Sequence, residues 1–317
     1  MILMKGGLKM RKLINVKELS HEQWLDMRKK SIGGSDAGAC IGMNPWKSAL
    51  ELYADKKGLL EEKETSESMR LGTDLEEYVA QRFEEATGKK VRRSNFMFMH
   101  DDYDFITANI DREVIGEPAG LECKTMTPFT KHDVAAGEIP EQYYCQCQHY
   151  MAVMGYEYMY LAILVYTKGF YWFRVERNQF FIEDMINEEV YFWTQHIEKN
   201  QPPAPDGSDS AAETLTKMHP QDNGLEIWLS SNADIERYQE VSKTIKNLEK
   251  TKEELRTRIC AELGDNSAGS TDKYQVTWKT QSRTGLDTKA LKEKYPNIYA
   301  ELETRTQSRI MRVKEIK

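Results

Sequence analysis

The chain has 317 residues, 40% hydrophobic and 10% aromatic. That is enough apolar mass for one large domain with an appendage or for two domains, and it excludes a disordered chain. The 51 acidic and 44 basic residues leave a net charge of −7, which argues against a surface that coats DNA broadly but allows a local basic channel beside an acidic site.

The start, MILMKGGLKMRKL, is basic, with an apolar stretch too short for a secretory signal. Residues 1–17 read as an N-terminal extension, with the first nine an upstream addition and Met10 an alternative start. Ser20 is a good N-cap for a helix over 20–30, where Trp24 and Met27 share a face. Gly33-Gly34-Ser35-Asp36 then breaks the chain and opens a short helix. Such a start holds a phosphate as readily as it caps itself, and Arg28, Lys29 and Lys30 precede it. A third helix fits 47–57, and a longer amphipathic one fits 71–87, stopped by Gly88. Runs rich in aromatic and β-branched residues follow at 90–93, 95–100, 104–111, 112–115 and 120–125. With turn residues at 116–120, they read as an antiparallel meander. A helix over 140–153, strands over 158–166 and 169–175, and a helix over 178–200 complete the unit. The order predicts an α/β (α+β) core with a central mixed sheet flanked by helices.

Residues 201–211, with Pro202, Pro203 and Pro205, read as a linker. Residues 212–317 read as a small α+β module. Its long helix, 232–264, carries an apolar heptad seam from Ile235 to Leu263, which packs on its own module or docks a partner. A turn at 265–270, a strand at 274–280, a helix at 286–302 and a last strand at 309–316 follow. No apolar run reaches the about 18 residues of a membrane helix, so no membrane association is expected. The five cysteines are scattered, as in a reduced, cytoplasmic protein. Cys145 and Cys147 lack the second pair a zinc site needs and read as buried thiols.

The chemistry concentrates in NIDREVIGEPAGLECK, residues 109–124. Side chains two apart in a strand share a face, so Glu122 and Lys124 project together and Cys123 points to the core. If 104–111 lies alongside, Asp111 reaches the same face. Paired carboxylates raise each other's pKa unless a cation intervenes, and Mg²⁺ or Mn²⁺ is the natural relief. The backbone carbonyl of Cys123 is a further ligand, and Lys124 is placed to orient an attacking water: the pattern of metal-assisted phosphodiester hydrolysis. An E-x-K pair is also commonplace in exposed hairpins. Glu76 and Glu77, on the 71–87 helix, can add a carboxylate or form a solvated acidic face. Gln146 and Tyr150, four apart, share a helix face and can orient a nucleotide or the lysine, or serve the core.

Four stretches together carry a family resemblance: SIGGSDAGACIGMNPWKSALELY (31–53), LGTDLEEYVAQRFEEATGKKV (71–91), ANIDREV with GLECKT, and IPEQYYCQCQHYMAVMG (139–155). From about residue 18 to 200 the chain resembles the YqaJ-type viral recombinases, which are similar to lambda exonuclease in the PD-(D/E)XK superfamily. The resemblance implies a restriction-endonuclease-like core and a Mg²⁺-dependent 5′→3′ exonuclease, with Mn²⁺ as a substitute metal. Its substrate would be linear double-stranded DNA ends, its products 5′-mononucleotides and a 3′ overhang for a single-strand annealing protein. It further implies a toroidal homotrimer of phage or prophage origin in a bacterial cytoplasm. Residue by residue, it implies Asp111 and Glu122 as metal ligands, Lys124 as the catalytic lysine and Glu76 as the helical acid. Gln146 and Tyr150 match a Q-x-x-x-Y motif, and Arg28 and Ser35 fall at the 5′-phosphate contact. Arg28, Lys29, Lys30, Arg92 and Arg93 would line the bore or its approach. Ile110 stands where the superfamily name has proline, and the cysteine spacing predicts no iron–sulfur cluster. Two alternatives stay open: an endonuclease of the same superfamily, and a non-catalytic DNA-binding scaffold assembled through the 232–264 helix.

Overall fold

The computed structural model describes residues 11–61, 66–128, 132–304 and 308–314. The expected upstream addition and alternative start at Met10 lie outside these. Three short helices lie early in the fold, each fixed by its own cap. In α1 (His21–Lys29), Ser20 and Gln23 form a reciprocal capping box. α2 (Gly34–Cys40) is closed at its start by Asp36, whose carboxylate accepts the Gly33 N–H. α3 (Ala49–Lys56) begins at Ser48, which accepts from the Glu51 N–H. α4 (Glu67–Thr87) starts four residues before its apolar pattern because Ser66 caps it, and it ends at left-handed Gly88.

Two sheets follow. β2 (Val91–Arg93), β5 (Arg112–Val114), β6 (Gly120–Met126), β7 (Tyr158–Val165) and β8 (Gly169–Glu176) form one in the order β2-β5-β6-β7-β8. Only β6 and β7 are parallel, joined through α5 (Glu141–Met154). This is the expected mixed sheet flanked by helices. The expected single meander is not observed. β3 (Phe96–Met99) and β4 (Thr107–Ala108) leave it to pair with β1 (Arg11–Asn15) in a separate three-stranded sheet. Residues 11–15 are therefore part of the fold rather than of an extension. The strand expected over 104–111 shrinks to Thr107–Ala108, since Ile106 is occupied in a parallel bridge with Ile32.

Period-two alternation divides the large sheet between two cores. Leu121 and Cys123 of β6, with Tyr160 and Ala162 of β7, face Val79, Ala80 and Phe83 of α4. Met126 of β6 and Met159, Leu161 and Ile163 of β7 face Met151 and Met154 of α5. Each buried Val, Leu, Ile, Phe or Met among these contributes about 1.5–3 kcal/mol. Glu122 and Lys124 therefore emerge on the α5 side. The helix expected over 178–200 is α6 (Gln179–Tyr191) followed by a wider-wound π turn, Phe192–Ile197.

The chain divides into two compact units, the first ending at His219 and the second starting at Pro220. The boundary lies later than the linker composition suggests. α7 (Asp209–Met218) buries Ala211 and Thr214, and Ser210 hydrogen-bonds the Ser48 N–H and Glu51 of α3. In the second unit, α8 (Asn232–Leu263) precedes a hairpin of β9 (Ala268–Ser270) and β10 (Gln275–Thr277). The helix expected over 286–302 is split into α9 (Thr288–Lys294) and α10 (Pro296–Leu302), because Pro296 cannot continue the first and instead starts the second. The last expected strand is not seen over 309–314, and its end lies outside the described residues. The α8 seam is exposed along Tyr238, Val241, Ile245, Leu248 and Leu255; its end, Leu263, is buried beside Gly269 of the hairpin.

Candidate active site

The site is built where the two sheets part. β5 and β6 pair only through Arg112–Leu121 and Glu113–Gly120. Beyond that ladder the freed β6 edge turns to Asp111, whose Oδ2 accepts the Cys123 N–H at 2.8 Å. In an extended strand the carbonyl of a residue lies on the same edge as its N–H, so the Cys123 carbonyl also faces that side. Asp111 thus reaches the site from the crossover between sheets, not from an adjacent strand as the sequence suggested.

Glu122, 2% exposed, is held from both sides. Lys124 Nζ lies 2.6 Å from its Oε1, and Gln146 Nε2 donates to the same oxygen at 2.7 Å. Its Oε2 is buried without a hydrogen-bond partner. The second Gln146 amide hydrogen goes to the Tyr150 hydroxyl at 3.0 Å, which donates to the Asn109 carbonyl at 3.0 Å. This chain fixes every donor direction from α5 through to β6. Burial, and then the neighbouring Glu122 charge, push Asp111 well above the usual carboxylate range. Burial pulls Lys124 down, but Glu122 and Asp111 outweigh it and raise the ammonium. The Lys124 ammonium also lies 5.4 Å from the Tyr143 ring centroid.

Glu76 borders this group, and its charge adds to the rise of Asp111, but arginines take up its carboxylate. α4 covers the opposite face of β6, and Arg112 points the same way as Val114, toward α4. Buried Arg112 captures Glu76 at 2.5 Å and Glu77 at 3.0 Å, and Arg93 lies 3.8 Å from Glu76. A guanidinium 2% exposed needs these carboxylates. Among the described residues no three acidic, histidine or cysteine side chains converge as a metal cage. Asp111 and Glu122 supply two carboxylates, and the orphaned Oε2 fits a hard cation. Cys145 and Cys147 are fully buried free thiols.

Arg28 and Ser35 meet at 3.3 Å on the rim of a cleft of about 150 Å³, with Arg28 also 4.9 Å from the Trp24 ring centroid. The cleft reaches Gly33, Gly34, Asn109 and Tyr150. Asn109 also lines a second cleft of about 240 Å³ with Asp111, Glu76, Lys17 and Arg93. Within the first cleft, a Cβ on Gly34 would sit 2.4 Å from the Tyr150 ring, so only glycine lets the loop lie on that ring. Beneath, fully buried His149 bonds Glu189 at 2.8 Å and the Thr107 carbonyl at 2.9 Å. Burial lowers its pKa, but Glu189 outweighs this and raises it, as expected for a ring whose nitrogens both face acceptors.

Sequence reasoning missed Asn109, Arg112, His149 and the buried Asp36–Lys56 pair. Asp36 stood within the GGSD break, and Arg112 next to Asp111, so position offered a signal. His149 and Lys56 offered none.

A model of the YqaJ-like viral recombinase domain matches residues 23–157. The uncharacterized protein YqaJ of Bacillus subtilis (strain 168) is 37% identical over 305 residues, covering 94% of this chain and 96% of that one. Among solved structures, the chain is similar to an alkaline exonuclease (LHK-Exo) from Laribacter hongkongensis, at 21% identity and a TM-score of 0.47, covering 56% of this chain and 93% of that one. A phage-related exonuclease from Haemophilus somnus 129PT matches at 15% identity and a TM-score of 0.43, over 54% of this chain and 96% of that one. With a relative this similar along nearly its whole length, the chain belongs to the YqaJ-like viral recombinase family.

Proposed function

We propose that the protein is a divalent-metal-dependent nuclease that digests linear double-stranded DNA 5′→3′, releasing 5′-mononucleotides. One observation carries this: a buried carboxylate with an unpartnered oxygen and a half-buried one share one lysine. That arrangement is costly as a structural ion pair and suits a hard cation. Asp111, Glu122 and the Cys123 carbonyl would hold Mg²⁺, or Mn²⁺ in its place. Bound there, the cation supplies charge neutralisation and polarises a phosphate oxygen.

The chain's own groups supply the rest. Gln146 keeps Glu122 turned toward Asp111, while Lys124 orients the attacking water and balances developing negative charge. Tyr150 fixes Gln146 and supports the Gly34 loop. The Arg28–Ser35 cleft takes the phosphate of the 5′ end, and Asn109, shared by both clefts, lies between end and cutting centre. Two clefts joined in this way favour cutting from an end over cutting within a duplex.

Linear duplex carrying one labelled 5′ end tests this. Labelled mononucleotide should appear with Mg²⁺, none should appear in EDTA, and covalently closed plasmid should stay intact. Nicking of the plasmid would turn the reading to an endonuclease; no cleavage with any divalent ion would turn it to a scaffold. Phage or prophage origin, a toroidal homotrimer and an annealing-protein partner for the 3′ overhang complete the proposal, on the family's behalf.

A further inference from the structure

Asp36 poses a problem for the proposed phosphate cleft. It is 2% exposed, lines the cleft, and carries a carboxylate where an anion would bind. Left alone, it would repel a phosphate. It is not left alone: Lys56 Nζ lies 2.6 Å from Asp36 Oδ2, and Lys47 lies 3.5 Å from Oδ1.

Lys56, 9% exposed, does more than neutralise. The same ammonium donates to the main-chain carbonyl of Arg28 at 2.6 Å. Asp36 in turn accepts the Gly33 N–H at 3.3 Å. One cation on α3 therefore ties the last turn of α1, which carries Arg28, to the start of α2, which carries Ser35. Replacing a buried ion pair by apolar groups is often neutral for stability, so folding alone does not account for this pair. An apolar pair would leave the Arg28 carbonyl without this donor and the two sides of the cleft unlinked.

We propose that Lys56 is a positioning residue for 5′-phosphate recognition: through Asp36 and the Arg28 carbonyl it aligns Arg28 with Ser35 and cancels the carboxylate's repulsion of the incoming phosphate. This rests on reading the cleft as the 5′-phosphate site.

The test measures Kd for fluorescent duplexes bearing a 5′-phosphoryl or a 5′-hydroxyl end, in EDTA, for wild type, Arg28→Ala, Lys56→Met and the double variant Asp36→Asn/Lys56→Met. Lys56→Met leaves Asp36 charged in the cleft, and its preference for phosphorylated ends should fall by about tenfold. The double variant, which removes the charge but not the misalignment, should recover part of that loss. In digestion with Mg²⁺, the change in Lys56→Met should fall on KM for phosphorylated ends more than on kcat. If Arg28→Ala abolishes the preference while Lys56→Met keeps it, the role of Lys56 is wrong. If Arg28→Ala keeps the preference, the cleft is not the phosphate site, and that reading falls instead. Should Lys56→Met not fold, the double variant decides, since its buried pair is neutral: an undiminished preference there overturns the proposal.

Discussion

The molecule holds two partly buried charge clusters with opposite imbalance. Around Asp36, three cations (Lys56, Lys47 and Arg28) act on one carboxylate. Burial alone would raise Asp36, yet those cations hold it well below the ordinary range, while burial pushes Lys56 down. Around Lys124 the reverse applies: Asp111 and Glu122 crowd one ammonium, and Asp111 and Lys124 both shift upward. In the first cluster every oxygen of the acid has a cation; in the second, Glu122 Oε2 has no partner. A surplus of positive charge suits an anionic ligand, and a surplus of negative charge suits a cation. The contrast separates a carboxylate whose oxygens the chain itself has paired from one left with an open oxygen.

Breaking the acid-rich cluster should have the largest effect. Lys124→Ala should lower cleavage by about 10³-fold or more, with circular dichroism and melting unchanged. Near-normal nucleotide release would remove Lys124 from the chemistry. Neutralising one acid in each cluster should then give opposite signs. Asp36→Asn strands Lys56 and should cost about 3 kcal/mol of stability in denaturant melts. Asp111→Asn relieves repulsion and should leave stability equal or higher while abolishing cleavage. Equal losses in both variants would erase the distinction between the clusters. Mn²⁺ at about a hundred times its dissociation constant should stabilise the wild type by about 2.7 kcal/mol and Asp111→Asn by far less.

A smaller effect should appear with pH. Asp36 is depressed in the fold, so its contribution is complete above its unfolded value, about 4, and is lost as pH falls toward its folded value. The stability gap between wild type and Asp36→Asn should therefore narrow below about pH 4; a gap constant down to pH 3 would contradict this. Smallest should be removal of the second unit. The core clusters described all lie before residue 219, and the second unit buries only Leu263 among its described hydrophobic residues. Residues 1–219 should melt as one cooperative unit and keep the two ligand preferences; loss of either would tie the second unit to a cluster.

How much of this was legible in the sequence depended on whether the cause was local. Caps, turns and alternation are written within a few residues, and so Ser20, Gly88 and the Glu122–Lys124 face could be read directly. The pairing of β1 with β3 was hidden because partner strands are far apart in sequence. Asp111 was found as a site residue but placed on a strand, since its turn exists only because the chain changes sheets there. Glu76 was expected at the site and does line the cleft of Asp111, but its pairing was hidden, because Arg112 follows Asp111 in sequence and reaches α4 only in three dimensions. Lys56 looked like an ordinary last-turn lysine, and its partners at 28 and 36 come together only through the packing of α1, α2 and α3.

The contact between Gly34 and the Tyr150 ring acts as a ruler. On one side that ring abuts the loop that would clasp the strand's end; on the other its hydroxyl reaches the amide that braces Glu122. Loop and brace thus share one aromatic plate, so a shift of either would be passed to the other. On the proposed reading, the reach from a held end to the cut would be gauged by one tyrosine ring.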